Sequence, residues 1–522
     1  MAMTSPSLPL TAAHAVPASR ARWSHAVVAL AISFAWLAAT AWLRPLTLPD
    51  EGRYVGVALE MLHSHRWSVP TLDGLPFFHK PPLFYWITAG AMSVFGVTEW
   101  AARLAALLGA TLGAGALYML ARRWAGQRAA RLSLLVLLTQ PLWFMGAQFA
   151  NMDMLVAGCI TATIALLAHS ALQMHAGQPW QRALLAACVF AGLGVLAKGL
   201  IGAVIPALVI VAWLASLRRW RTIAALLWLP GLAVFAGVAL PWFVRMQWEF
   251  PGFFHYFIVV QHIERFAQSG FNNAEPAWFY LAVLGVLSLP WLAWLALATN
   301  RRYRQRVLQQ PLLLLMWIWL AVVVVFFSLP QSKLIGYVFP AVPPLAFLMA
   351  DAAATVRRRR LGATAVLAAI LCVGVALGLA LRPPVSNRAL AQAFAAQRLP
   401  NEPLVFVDEY FYDFGFYAGS ATLPVVVNEW ASPDVLKHDN WRHELADAAS
   451  FAPDTAAARL VDNAALPARL CGARVTWVVG AHGAASRYPF LKPAQPVADN
   501  DSATLWRVDR TVPAVAAALA CR

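Results

Sequence analysis

Seven charged side chains stand isolated beside apolar segments: Asp50, Glu51, Arg53, Lys80, Asp153, Lys198 and Lys333. Such groups are costly to place at a lipid boundary and usually mark function. Glu51 and Arg53 crowd the position of Asp50, which follows Pro49 at the start of an amphipathic pattern; the plainer role of Asp50 is a helix N-cap. Lys80 stands in Phe77-Phe78-His79-Lys80-Pro81-Pro82, and the two prolines suit the first turn of a helix. A cation beside free helix N–H groups favours an anion there, with phosphate the obvious one; the plainer role is a snorkelling interfacial lysine. Asp153 in Asn151-Met152-Asp153, Lys198 in Ala197-Lys198-Gly199 and Lys333 in Gln331-Ser332-Lys333-Leu334 all occupy tight turns. An ion pair between Asp153 and one of these lysines is the structural alternative to a catalytic role. Further on, His255 and His262 are one-face neighbours at i, i+7 without a clear third ligand, so no metal site is expected, whereas Arg265 fits a phosphate contact.

The elements that must position these residues are mostly membrane spans. The 522 residues are 60% hydrophobic and 12% charged, against about 25% charge in a soluble domain. Mean hydropathy is +0.61, and the 23 Trp residues suit the membrane interface. A span needs roughly 20 apolar residues. Eleven stretches qualify: 25–43, 98–120, 130–148, 152–170, 183–197, 199–216, 222–244, 276–299, 311–329, 334–350 and 361–381. A count of 11 to 13 spans is expected, and the first is retained rather than cleaved.

Arginines fall in alternate loops: Arg20 and Arg22; Arg122, Arg123 and Arg128; Arg182; Arg218, Arg219 and Arg221; Arg301, Arg302, Arg304 and Arg306; and Arg357 to Arg360. The connections around 149–151, 198 and 330–333 are nearly free of arginine. The positive-inside rule then puts the N-terminus in the cytoplasm and the C-terminus outside. The net charge of +16 is therefore topology, with no aromatic-interleaved basic patch for nucleic acid. By this count all seven isolated charges share the outer face. That arrangement suits an enzyme meeting its substrate at one membrane surface, whereas a transporter keeps its key charges near the midplane.

Residues 1–382 are thus expected to form the membrane domain, with outer loops 44–97 and 246–275. In the first loop, Tyr54, Val57, Ala58, Met61 and Leu62 follow helical spacing, and Leu83, Trp86 and Ile87 share a face of a second interfacial helix. Residues 383–522 read as a soluble α/β domain, with strand-like runs at 404–407, 423–427 and 475–479 between Ala-rich stretches. Cys471 and Cys521 fall in this tail and can pair if it lies outside the cytoplasm.

Asp50-Glu51-Gly52-Arg53-Tyr54, His79-Lys80-Pro81-Pro82-Leu83, Asp153, Ala197-Lys198-Gly199, Gln261-His262-Ile263-Glu264-Arg265-Phe266 and Ser332-Lys333-Leu334 occur in an order that resembles the protein mannosyltransferase-like GT-C glycosyltransferases. Within them the resemblance is strongest to the bacterial aminoarabinose transferases that modify lipid A, over roughly residues 25–350. It implies an all-α polytopic membrane enzyme of GT-C type in the bacterial inner membrane. The donor would be an undecaprenyl-phosphate-linked sugar, with lipid A or another envelope acceptor and no cofactor. It also implies Asp50 as the essential carboxylate and Asp153 as the second acidic position. Arg53, Lys80 and Arg265 would hold the donor phosphate. Glu51, Tyr54, His79, Lys198, His262, Lys333 and Tyr337 would line the cavity. His79 stands where relatives often carry an acid, which weakens any metal site carried over by resemblance.

The chemistry so implied is inverting displacement at the anomeric carbon. Cations would stabilise the leaving phosphate. Asp50 would serve as general base for a hydroxyl acceptor; for a phosphate acceptor it would orient the sugar or stabilise its oxocarbenium-like state. Transfer of another polyprenyl-linked sugar is the enzymatic alternative. A lipid-linked-sugar flippase is the non-enzymatic one, and the sequence carries no inverted repeat that would favour it.

Overall fold

A computed structural model describes residues 20–264, 274–382, 385–437 and 439–521. The chain divides into two units. The first comprises Met1–Ala41, Ala105–Val244 and Asn273–Leu377; the second comprises Trp42–Leu104, Arg245–Asn272 and Gly378–Arg522.

The first unit is helical. Among the described residues, seven helices are long and apolar enough to cross a membrane, or nine if two bent pairs, Gln127–Leu138 with Pro141–Ala147 and Phe279–Leu287 with Trp291–Thr299, each count as one span. The shorter apolar helices Ala26–Ala38 and Ile201–Ser216 coincide with the two remaining expected stretches. Each of the eleven apolar runs therefore lands on helix, and the chain is a multi-pass membrane protein. Close packing rests on glycine. A Cβ on Gly158 would lie 2.1 Å from the Gly109 carbonyl oxygen, and one on Gly202 would lie 2.2 Å from the Gly194 carbonyl carbon. Small residues let helix backbones approach closely where lipid removes the usual hydrophobic drive.

In the second unit, helix Asp50–Ser64 buries Val55, Val57, Ala58, Leu59 and Met61. A short hairpin follows, β1 (Thr71–Leu72) paired antiparallel with β2 (Leu75–Pro76). Glu60 braces its turn by accepting from Thr71 Oγ1 at 2.8 Å and from the Asp73 and Gly74 amides at 2.6 and 3.0 Å. Helix Leu83–Phe95 buries Phe84, Tyr85, Thr88, Ala89 and Met92; the Leu83, Trp86 and Ile87 stripe is left half-buried.

The C-terminal portion holds a six-stranded mixed sheet. Its strands are β3 (Leu404–Val407), β4 (Val425–Asn428), β5 (Leu460–Asp462), β6 (Val475–Ala481), β7 (Gln495–Asp499) and β8 (Ala503–Asp509), in the order β5-β4-β3-β6-β8-β7. The first four are parallel, and β8 and β7 add antiparallel. Burial on both faces explains why β3 is an unbroken apolar run, Leu404-Val405-Phe406-Val407. Val405, Val407, Val427, Val478 and Trp506 pack into one core. Cys471 and Cys521 form a disulfide beside it.

Candidate active site

Helix Asp50–Ser64 starts at Asp50 with Pro49 as its N-cap and no side-chain capping bond. The expectation that Asp50 caps the helix is thus corrected: its carboxylate accepts from Arg53 Nη2, one turn along, and so is drawn away from the helix amides. Arg53 donates from Nη1 to Glu444 Oε1, an ion pair spanning 391 positions. Glu444 in turn accepts from the Tyr412 hydroxyl at 2.6 Å. The Arg53 guanidinium lies 4.9 Å from the Tyr54 ring centroid and 6.0 Å from that of Tyr412, within cation–π range. Its Nε–H is buried without a hydrogen-bond partner among the described residues. Burial works against the Arg53 charge, but Tyr54, Glu444, Tyr412 and Asp50 outweigh it and hold its pKa well above the ordinary value.

Gly52 lets the start of this helix sit close against Leu48, Tyr412 and Asp413. A Cβ there would lie 2.7 Å from Leu48 Cδ2, 3.0 Å from Tyr412 Cβ and 3.1 Å from the Asp413 amide nitrogen. Glu444 is set by helix Trp441–Ser450, whose Asn440 cap accepts from the amides of Arg442 and His443.

Glu51 is wholly buried and anchors the start of the same helix. It meets Arg44 Nη1 and accepts from Arg103 at 2.9 and 3.0 Å and from the Thr47 amide at 2.8 Å. Burial alone would raise its carboxyl, but the charges of Arg103 and Arg44 overcome that and hold it at about 2. Arg103 also donates to the Arg44 and Pro45 carbonyls at 3.0 and 2.9 Å. It lies just before helix Leu104–Trp124, although the expected 98–120 span enclosed it. A lone arginine in an apolar run was the available signal.

His79 stacks on Phe77 with centroids 4.5 Å apart, and its Nε2 lies 3.8 Å from Asp447 Oδ2. Asp447 also accepts from the Tyr256 hydroxyl at 2.9 Å and faces His443 Nε2 at 3.4 Å. Gln261 donates to the Tyr256 oxygen at 3.0 Å. The 44–97 and 246–275 loops and helix Trp441–Ser450 therefore share one polar network. Lys80 is half-buried, two residues before the Pro82 cap of helix Leu83–Phe95. His262 falls within helix His255–Glu264; its side chain and the whole of Arg265 lie outside the described residues.

The remaining candidates belong to the first unit. Asn151 caps helix Met152–His175 by accepting from the Asp153 amide at 2.9 Å and donates from Nδ2 to Asp153 Oδ2 at 3.1 Å. Asp153 pairs with Lys198, whose Nζ lies 4.2 Å from the Tyr337 ring centroid. A Cβ on Gly336 would come within 2.4 Å of Asp153 Oδ2, so the glycine permits this approach. Lys333 is buried and donates to the carbonyls of Pro330 at 2.6 Å, in its own turn, and of Glu275 at 2.7 Å, tying that turn to the segment at 275.

Sequence reasoning did not single out Glu444, Tyr412, Asp447, Arg44 or Arg103. The first three sit in the C-terminal portion, where nothing in the local sequence connects them to Arg53 or His79. Among the described residues, no group of three or more His, Cys, Asp and Glu side chains is arranged to hold a metal ion.

Residues 79–244 match the family described as dolichyl-phosphate-mannose-protein mannosyltransferase. The chain is 35% identical over 313 residues to the undecaprenyl phosphate-alpha-4-amino-4-deoxy-L-arabinose arabinosyl transferase of Erwinia tasmaniensis, covering 59% of this chain and 55% of that protein. With the protein of the same name from Pseudomonas aeruginosa it shares 32% identity over 409 residues, or 77% of this chain and 68% of that one. Its match thus spans little more than half the length of relatives such as the Erwinia protein. The fold is similar to that of the crystal structure of ArnT from Cupriavidus metallidurans bound to undecaprenyl phosphate, with a TM-score of 0.75, 24% identity, and 94% of this chain and 98% of that one covered.

Proposed function

Because the chain belongs to the undecaprenyl phosphate-alpha-4-amino-4-deoxy-L-arabinose arabinosyl transferase family, we propose that it transfers aminoarabinose from undecaprenyl phosphate to a phosphate of lipid A, in the bacterial inner membrane. The observation that carries this reading is the Asp50–Arg53–Glu444 cluster, a charged group with a buried arginine and glutamate and a half-buried Asp50, at the start of a helix expected to lie along the membrane interface.

In this reading the bond from the anomeric carbon to the donor phosphate oxygen breaks, and undecaprenyl phosphate leaves with the electron pair. An oxygen of the acceptor phosphate forms the new bond from the opposite face. That oxygen is already anionic, so no base is needed to activate it. Asp50 orients the sugar and stabilises the positive charge that develops on its ring. Lys80 and Arg265 take the charge of the leaving phosphate. Each terminal nitrogen of Arg53 meets one carboxylate; its Nε–H, buried without a hydrogen-bond partner among the described residues, is assigned to the same phosphate. Asp153, with Lys198, is the second acidic position in this proposal, and Glu51, Tyr54, His79, His262, Lys333 and Tyr337 are assigned to shaping the cavity.

The N-terminus is placed in the cytoplasm and residues 383–522 outside it. Two observations support this orientation: the alternation of arginine-rich and arginine-poor loops, and a disulfide in the C-terminal portion, which suits an oxidising compartment. Mass spectrometry of lipid A from isogenic strains with and without the gene tests the function. An aminoarabinose adduct that depends on the gene is expected. An unchanged lipid A profile in cells that make the donor rejects lipid A as the acceptor.

A further inference from the structure

The charges touching Arg53 do not balance. Asp50 and Glu444 are two carboxylates on one guanidinium, which leaves one negative charge in excess. The two acids are not equivalent. The Glu444 side chain is 5% exposed, and both its oxygens are occupied, one by Arg53 and the other by the Tyr412 hydroxyl. Asp50 is 37% exposed, and Arg53 engages its Oδ1 alone. The excess charge therefore emerges on Asp50. Were Glu444 absent, Arg53 would neutralise Asp50 and the accessible side of the cluster would carry no net charge. A cluster built only to attract phosphate would have no use for the second carboxylate, which weakens its only strong anion-binding group. A cation, by contrast, gains from it.

We propose that Glu444 sets a preference for a donor sugar bearing an ammonium group, by drawing on the Arg53 charge so that Asp50 remains available to pair with the ammonium. This rests on the functional reading above, since the amine is a feature of that donor. Glu444 is a positioning residue: it acts through Arg53 and Asp50 and does not itself touch the sugar.

The test compares two donors with the full-length protein in lipid nanodiscs: undecaprenyl phosphate carrying 4-amino-4-deoxyarabinose, and its counterpart with a hydroxyl in place of the amine. Glu444→Gln keeps the shape of the side chain and one of its two acceptor oxygens but removes its charge. The ratio of kcat/KM for the aminated over the hydroxylated donor should fall by at least about tenfold in Glu444→Gln, mainly through KM of the aminated donor, as expected when a desolvated charge pair loses its surplus partner. Glu444→Asp should recover much of that ratio. Thermal unfolding of both variants reports on folding. An unchanged ratio in Glu444→Gln overturns the proposal, as does an equal loss for both donors accompanied by a lowered Tm, the signature of a simple strut. Wild-type protein that uses both donors equally overturns the preference alone. Wild-type protein that transfers neither overturns the functional reading, and this inference with it.

Discussion

Arg53 and Glu444, 391 positions apart, form an ion pair in which the Tyr412 hydroxyl fixes the second carboxylate oxygen of Glu444. The pair ties the 44–97 loop to the C-terminal portion of the chain. It makes that portion part of the candidate site rather than an appendage.

Removing only one partner leaves a buried charge uncompensated. Arg53→Met is expected to destabilise the protein by roughly 3 kcal/mol. The double variant Arg53→Met with Glu444→Gln should recover part of that loss, because the stranded carboxylate is gone. A double-mutant cycle by denaturant unfolding of the purified protein measures the coupling, and strictly additive losses would show that the two residues act independently.

Glu51 gives the second unit a defined acid sensitivity. Burial opposes its charge but Arg103 and Arg44 prevail, so its folded pKa of about 2 lies below the ordinary 4.5. The stabilisation is complete above the unfolded value and is lost as pH falls from about 4.5 towards 2, amounting to on the order of 3 kcal/mol. Glu51→Gln should lower stability at neutral pH and flatten the acid limb of the profile between those values. A variant whose stability falls with acid as steeply as the wild type would remove Glu51 from this account.

Gly158 carries the packing of helix Met152–His175 on helix Leu104–Trp124, where an added Cβ would come within 2.1 Å of a backbone oxygen. Gly158→Ala must push the helices apart, and overpacking of this kind costs about 1–3 kcal/mol. Gly237, where a Cβ meets nothing within 4 Å, is the matched control. The thermal midpoint in detergent should fall for Gly158→Ala and hold for Gly237→Ala; equal midpoints would refute the packing role.

The spans were legible because the bilayer imposes a length and a composition that a run such as 311–329 cannot disguise. The strands β3 and β6 were legible because they are central and apolar on both faces. Strand β7 escaped because it sits at the sheet edge with Gln495, Pro496 and Asp499 exposed. At the site, Asp50, Arg53 and Lys80 announced themselves as charges in apolar company. Glu444 and Asp447 lie in the less apolar C-terminal portion, where carboxylates are ordinary, and only the tertiary fold brings them to Arg53 and His79. Arg103 was absorbed into an apparent span because hydropathy averages over the one residue that mattered.

The central claim is that the carboxylate of Asp50 drives sugar transfer from an undecaprenyl-phosphate donor. Its most direct test is the single-turnover rate of labelled aminoarabinose transfer to lipid A, with wild-type and Asp50→Asn proteins reconstituted side by side. The account predicts efficient transfer by the wild type and a loss of at least about a hundredfold in the variant. An Asp50→Asn protein that transfers the sugar at the wild-type rate would contradict it.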